Sequence, residues 1–275
     1  MILRTILDKQ EFVFDTSRVL DISIPLNFNG DQPNTYEVEY ASSKAYETVD
    51  FIGDTRRGGG CNFEQLIITP HCNGTHTECL GHITHERYSV HKQLKDSIIP
   101  ATLISVVPER AIGSGDNYKP AKNKEDVFIS KHVLQKALLS VPEGFLKALV
   151  IRTLPNDDSK KTRNYMDFEP PFISLEAMNF IVEAGVEHLL IDTPSVDRLF
   201  DDGNLNAHHI FWNVEEGSHE SLTKQGMHKT ITEMIYVSDE IKDGSYLLNL
   251  QIAPFVSDAS PSRPLLYPLT EIVDQ

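Results

Sequence analysis

The sequence is short of cysteine, tryptophan, positive charge and long apolar runs. Three cysteines, Cys61, Cys72 and Cys79, in 275 residues are an odd number without a framework spacing. That excludes a disulfide-stapled secreted scaffold and predicts a reducing compartment. Lysine and arginine number 25 against 40 aspartates and glutamates, giving a formal charge of −15. The deficit excludes a protein that tracks nucleic-acid phosphates. The local basic groups, Arg56-Arg57 and Lys160-Lys161-Thr162-Arg163, are too short for a binding stripe and read as solvated loops. No apolar run approaches the ~20 residues needed to cross a bilayer, and Met1 to Asp8 lacks the apolar stretch of a signal peptide. The chain therefore reads as soluble and cytoplasmic, with neither membrane nor nucleic acid among its partners. At this length roughly three-quarters of the unfolded surface is buried, so the core needs no staples.

What the chain does have is a concentration of metal-ligand side chains. Between Pro70 and His82 stand His71, Cys72, His76, Glu78, Cys79 and His82, with Gly74-Thr75 in the middle. Imidazole, thiolate and carboxylate are the groups that bind divalent transition metals. The glycine lets the backbone turn so that ligands on both sides face one point. Residues 63–70 read as a strand feeding this run and ending at Pro70. Adjacent residues on an extended strand face opposite ways, so His71 and Cys72 are alternatives rather than partners.

Around this run the pattern is α/β. Val19 to Leu26 alternates up to a proline and predicts a half-buried strand. Residues 27–60, rich in Asn, Asp, Gly and Tyr, predict a loop or lid edge. Ala101 to Val107 is a short apolar strand, and Ser130 caps a helix to about residue 140. Ala148-Leu149-Val150-Ile151, a helix capped by Ser174 and ended by Gly185, and Leu189-Leu190-Ile191 form a strand–helix–strand unit. Asp192 and Asp197 lie in a turn, Asp192-Thr193-Pro194-Ser195-Val196-Asp197, and read as structural. Residues 213–228 predict a polar loop near the site mouth. In Thr230 to Val237, period-two alternation puts Glu233 on a face with Ile231, Ile235 and Val237. A carboxylate there needs a metal or an imidazolium to compensate its burial. Tyr246 to Ile252 is a further strand, and Asp258 opens a turn before Leu265-Leu266-Tyr267. No repeat or linker interrupts the chain, so residues 1–275 read as one domain.

The run from Cys72 to His82 resembles the signature H-x-G-T-H-x-D-x-P-x-H of the metal-dependent cyclase family, which includes bacterial kynurenine formamidase and isatin hydrolase. Gly74-Thr75-His76 and His82 match; Cys72, Glu78 and Leu80 depart from the His, Asp and Pro of that pattern. The opening Asp21-x-Ser23-x-Pro25-Leu26, the turn from Asp192 to Asp197 and the C-terminal turn also resemble the family, so the likeness spans residues 19–268. The resemblance implies a single-domain cyclase-like fold of the swivelling β/β/α type, with a mixed sheet or barrel core and flanking helices. It implies a divalent metal, zinc first and manganese second, held among Cys72 (or His71), His76, Glu78, His82, His208 and Glu233. His208 is the positional match in the His208-His209 pair, with His209 the alternative if the register slips. His85 and His91 are substitutes for His82 that read as exposed. The implied activity is hydrolysis of an amide or cyclic amide by metal-activated water, with His82, His208 and Glu233 as the catalytic set and Thr75 in a supporting place. The substrate is a small molecule, an aromatic amide among the candidates, with Phe211 and Trp212 placed to line its pocket or to fill the core. The resemblance also implies a homodimer or homotetramer. The second reading is a non-catalytic or degraded relation that binds metal and a small molecule.

Overall fold

In a computed structural model, which describes residues 1–142, 144–221 and 226–272, the chain builds one large mixed sheet. Its nine strands are β1 (Leu20–Asp21), β2 (His76–Cys79), β3 (Ile99–Val106), β4 (Ala148–Thr153), β5 (His188–Ile191), β6 (Thr230–Glu233), β7 (Gly244–Asn249), β8 (Ala259–Pro261) and β9 (Leu265–Pro268). Across the sheet the order is β8-β2-β6-β5-β4-β3-β7-β9-β1. The four central strands β6, β5, β4 and β3 run parallel, and antiparallel strands flank them on both sides. The sheet curls into a half-barrel with β8 and β1 at its open edges.

The parallel strands are apolar on both faces, as βαβ crossovers require. Leu149 and Ile151 of β4 join Leu189, Ile191 and Ile231 against the helices, whereas Ala148 and Val150 join Leu190, Leu103 and Leu248 on the other face. Four helices matter for the site: α1 (Pro70–Asn73), α2 (Lys131–Leu138), α3 (Leu175–Glu183) and α4 (Asn206–Trp212). Ser130 and Ser174 cap α2 and α3 by accepting from Val133 N and Ala177 N, as their positions predict.

Several local expectations are corrected. The strand before the ligand run is only Glu64–Ile67, paired with Ser42–Ala45, so the segment 27–60 contributes a hairpin strand as well as loop. Pro70 does not end that strand; it opens α1, where its missing N–H costs nothing. β1 is two residues long, because the Asp21 side chain turns the chain by accepting from Ser23 N and Ser23 Oγ. β6 stops at Glu233: Met234 takes a positive φ of 51°, and beyond it Ile235 and Val237 fall on the face opposite Ile231. Lys160 is no solvated loop residue. It is buried, with Nζ 2.8 Å from Asp192 Oδ2. Phe211 and Trp212 are fully buried in the helix-side core, not in a pocket. The stretch 213–228 includes residues 222–225, which lie outside the described residues.

Candidate metal centre

Antiparallel pairing sets the site. Register places Glu233 opposite His76 and Ile231 opposite Glu78, so the strand pleat puts His76, Glu78 and Glu233 on one face. β8 pairs on the other side of β2, with Ala259 opposite Glu78, and brings Asp258 to the same place. Glu233 ends β6 and the turn from Asp192 leaves β5, so the centre lies at the carboxyl ends of the parallel strands, where α/β sheets bind ligands. Gly81 is required beside His82: a Cβ there would stand 2.2 Å from the carbonyl oxygen of Tyr88. Thr75 is fastened at both ends, its hydroxyl donating to Met234 O (2.5 Å) and accepting from Ile24 N (2.8 Å). It thereby ties the turn after Glu233 to the ligand strand.

Four histidines surround Glu78 and Glu233, and each is held from outside through one ring nitrogen. His76 Nδ1 donates to Gly74 O at 2.9 Å, which leaves Nε2 as a lone pair 3.4 Å from Glu233 Oε2. His208 Nδ1 is 2.6 Å from Asp197 Oδ2, and its Nε2 is 2.9 Å from Glu78 Oε1. His71 Nε2 lies 2.9 Å from Asp258 Oδ2, with Nδ1 3.1 Å from Glu78 Oε2. His82 Nδ1 lies 3.5 Å from Asp258 Oδ2, with Nε2 3.8 Å from Glu78 Oε2. Donor atoms of His71, His76 and Glu78 come within 4.8 Å of one another, as do those of Glu78, His82 and His208.

Two buried atoms at this convergence, His76 Nε2 and Glu78 Oε2, have no hydrogen-bond partner. Leaving a buried carboxylate oxygen and an imidazole lone pair unsatisfied costs several kcal/mol unless an ion answers them. A divalent cation with imidazole and carboxylate ligands fits this donor set.

The electrostatics show how strongly the centre holds positive charge. Burial opposes charging His208, but the carboxylates of Glu78 and Asp197 outweigh it and hold its pKa well above the ordinary value. Burial would raise Glu78, yet His82 and His208 carry it well below the usual carboxylate range. His71 is likewise opposed by burial but pushed up to about 10 by Asp258 and Glu78.

Of the residues expected from sequence, the fold brings together His76, Glu78, His82, His208 and Glu233. Cys72 is buried in α1 and lies outside the donor sets, whereas its neighbour His71 is in them. Because α1 is helical, the two side chains do not alternate as on a strand. Burial and then the Glu233 carboxylate push the Cys72 thiol up to about 11. His209 is buried too but is not in the donor sets, and His85 and His91 pair with His219 and Ser89. Asp258, expected only to open a turn, also reaches the centre. Its only signal was position: an acid at a strand start in the chain's last segment. Asp197 is structural in a directed sense, because it accepts from Ala207 N and His208 N at the start of α4 as well as from the imidazole. Val196 N in the same turn donates to Glu233 Oε1 at 2.8 Å, so one turn positions two site residues.

A family model described as putative cyclase matches residues 20–198. Kynurenine formamidase of Bacillus anthracis is 30% identical over 260 residues, covering 92% of this chain and 99% of that protein. Kynurenine formamidase of Bacillus cereus strain ATCC 14579 is 27% identical over 261 residues with the same coverage. Among solved structures, an isatin hydrolase bound to the product analogue thioisatinate superposes with a TM-score of 0.59 at 13% identity, covering 92% of this chain and 93% of that one. A potential metal-dependent hydrolase with cyclase activity superposes with a TM-score of 0.57 at 16% identity, covering 91% and 98%.

Proposed function

The chain belongs to the putative cyclase family, and from that premise we propose that it is a metal-dependent hydrolase that opens a carbon–nitrogen bond of an amide or cyclic amide other than a peptide. The observation that carries this reading is the pair of buried, partnerless atoms His76 Nε2 and Glu78 Oε2 at the centre of four inward-turned histidines. His71, His76 and Glu78 would hold the cation. Bound there, a divalent metal supplies Lewis acidity, which polarises a carbonyl and makes water acidic.

The protein's own residues do the rest. With the charge of Glu78 engaged by a cation, His208 would no longer be held protonated, and its Nε2 would take a proton from the attacking water and return it to the leaving nitrogen. Asp197 keeps that ring in place through Nδ1. Glu233, anchored by Val196 N, holds the wall of the site beside His76. His82 borders a cavity of about 440 Å³ lined also by Tyr36, Leu199, Phe200, Leu205 and the acids Asp201 and Asp202. That size and aromatic lining suit a small aromatic amide. The imidazole-rich donor set favours zinc, with manganese second.

The three free cysteines support a cytoplasmic setting, and no helix among the described residues is long and apolar enough to cross a membrane. Exposed Phe63, Leu66 and Ile67 support association into a homodimer or homotetramer, which light scattering checks. The principal test is metal analysis combined with a hydrolysis screen of N-formyl aromatic amides and cyclic amides. Wild-type protein is expected to carry metal and turn over at least one of them, and folded Glu78→Gln to turn over none. Undiminished turnover by Glu78→Gln, or stoichiometric metal with no hydrolysis across the panel, would end this reading.

A further inference from the structure

Asp258 has two acidic oxygens with different tasks. Its backbone carbonyl accepts from Cys79 N at 3.0 Å, which locks the residue to the end of β2. Oδ1 takes Arg87 Nη2 at 3.3 Å and Ser257 Oγ at 3.2 Å. Oδ2 is left for His71 Nε2 at 2.9 Å and His82 Nδ1 at 3.5 Å, two rings whose centroids are 4.3 Å apart. With a cation bound on the inner side, the nitrogen facing Asp258 would carry the hydrogen, because a carboxylate offers no proton, and the inner nitrogen of the neutral ring would be a lone pair. Those inner nitrogens, His71 Nδ1 and His82 Nε2, both point at the one Glu78 oxygen that has no hydrogen bond. In the metal-free chain protons on these rings answer Glu78; with a cation bound, the same inner nitrogens and the Glu78 oxygen would face it together.

We propose that Asp258 is a positioning residue of the metal centre: it fixes the tautomers of His71 and His82 and so lets His71 Nδ1 take the ligand place at which the sequence pattern sets Cys72. The inference rests on the metal reading above and deepens it. A carboxylate that holds the outer N–H of a metal-ligating imidazole orients the ring and raises its basicity. Asp197 does the same for His208 from the opposite side of Glu78, with Nδ1 outside and Nε2 inside. His71 is turned the other way, Nε2 outside and Nδ1 inside. In the turn α1 Cys72, one residue on, stays out of the donor sets, although the Glu233 carboxylate acts on its thiol.

The test uses full-length protein stripped of metal and reloaded with Co²⁺ or Zn²⁺. In the Zn²⁺ form, long-range ¹⁵N–¹H correlation of labelled histidines is expected to show His71 protonated at Nε2 and metallated at Nδ1, and His82 protonated at Nδ1. In titrations with Co²⁺, Asp258→Asn is expected to weaken binding about 10- to 100-fold and to shift the d–d absorption, with Asp258→Glu recovering part of both. Cys72→Ser is expected to keep the wild-type affinity and spectrum. A thiolate-to-cobalt charge-transfer band that vanishes in Cys72→Ser would overturn the proposal. So would His71 metallated through Nε2 or not at all, or wild-type Co²⁺ affinity and spectrum in Asp258→Asn. Because the NMR measurement needs no variant, it decides the matter even where Asp258→Asn fails to fold. Wild-type protein that binds neither metal would end the hydrolase reading as well, whereas the three preceding failures end this one alone.

Discussion

Two clusters of histidine and carboxylate stand at opposite ends of the same parallel strands, and only one of them is unsatisfied. At the carboxyl ends, Glu78 and Glu233 face the inner nitrogens of the surrounding histidines, and no lysine or arginine pairs with either acid among the described residues. At the amino ends, Asp96, Glu187 and His188 meet the same distance condition for a metal. There, however, Lys147 Nζ sits 3.0 Å from Asp96 and 3.4 Å from Glu187. His188 spends one nitrogen on Thr230 Oγ1 at 2.9 Å and the other on Asp96 at 3.3 Å. The second cluster carries its own cation as a side chain and none of its buried polar atoms lacks a partner. Ligand types in proximity thus do not alone define a metal centre; the carboxyl-end cluster adds buried lone pairs without a counterpart.

The comparison breaks most sharply at His208. If the carboxyl-end cluster is the reacting one, His208→Ala should lower kcat by ~10²–10⁴-fold, the worth of a positioned proton donor and acceptor. Asp197→Asn, which leaves the ring but removes its anchor, should cost ~10–100-fold. Steady-state kinetics on the amide found in the screen reads both. His188→Gln, at the other end of the same strands, should leave kcat unchanged. Equal losses in His188→Gln and His208→Ala would mean that global stability, rather than site chemistry, is being read.

The legible part of this architecture was the part in which local pattern and tertiary contact agree. The buried strand Ala148–Thr153, the helix after Ser174 and the ligand run around Gly74-Thr75-His76 could all be read because period, cap and ligand chemistry coincide along a few residues. Glu233 is legible through its cost: an acid on a strand face with Ile231, Ile235 and Val237 demands a partner. The face argument nevertheless failed past it, because a single left-handed residue, Met234, flips the pleat. Local pattern leaves His71 and Cys72 as alternatives, because it predicts a strand where Pro70 starts a helical turn. Asp258 could not be placed at all. Its role comes from the pairing of β8 with β2, residues far apart in the chain, and nothing local to Asp258-Ala259-Ser260-Pro261 encodes that register.

Smaller effects sharpen the contrast from the paired side. Lys147→Ala removes the built-in cation of the amino-end cluster, but its side chain is 39% exposed. A partly exposed pair of this kind is worth at most about 1 kcal/mol, so chemical denaturation should show a small loss. Metal content should not change. Uptake of an extra metal ion by Lys147→Ala would show that the lysine, and not the geometry, keeps that cluster empty of metal.

The least effect, and the most diagnostic in sign, concerns pH. Burial pushes the His188 pKa below its ordinary value of 6.5 against the opposing pull of Asp96, whereas the carboxylates around His208 raise that imidazole. For His188 the unfolded chain takes up its proton at a higher pH than the folded one does. Its contribution to stability is therefore fully present above 6.5 and is lost as pH falls through the lower folded value. His208 has the opposite slope in metal-free protein, which hides His188 in a single melting curve. Subtracting His188→Gln from wild type at each pH cancels His208 and the other groups that do not touch His188; Asp96, which does, is held below the ordinary carboxylate value and titrates outside this window. The melting temperature of wild type should then fall more steeply on acidification below 6.5 than that of His188→Gln. Curves that stay parallel would place His188 in a watery rather than a buried setting, and would remove the physical basis for calling the amino-end cluster satisfied.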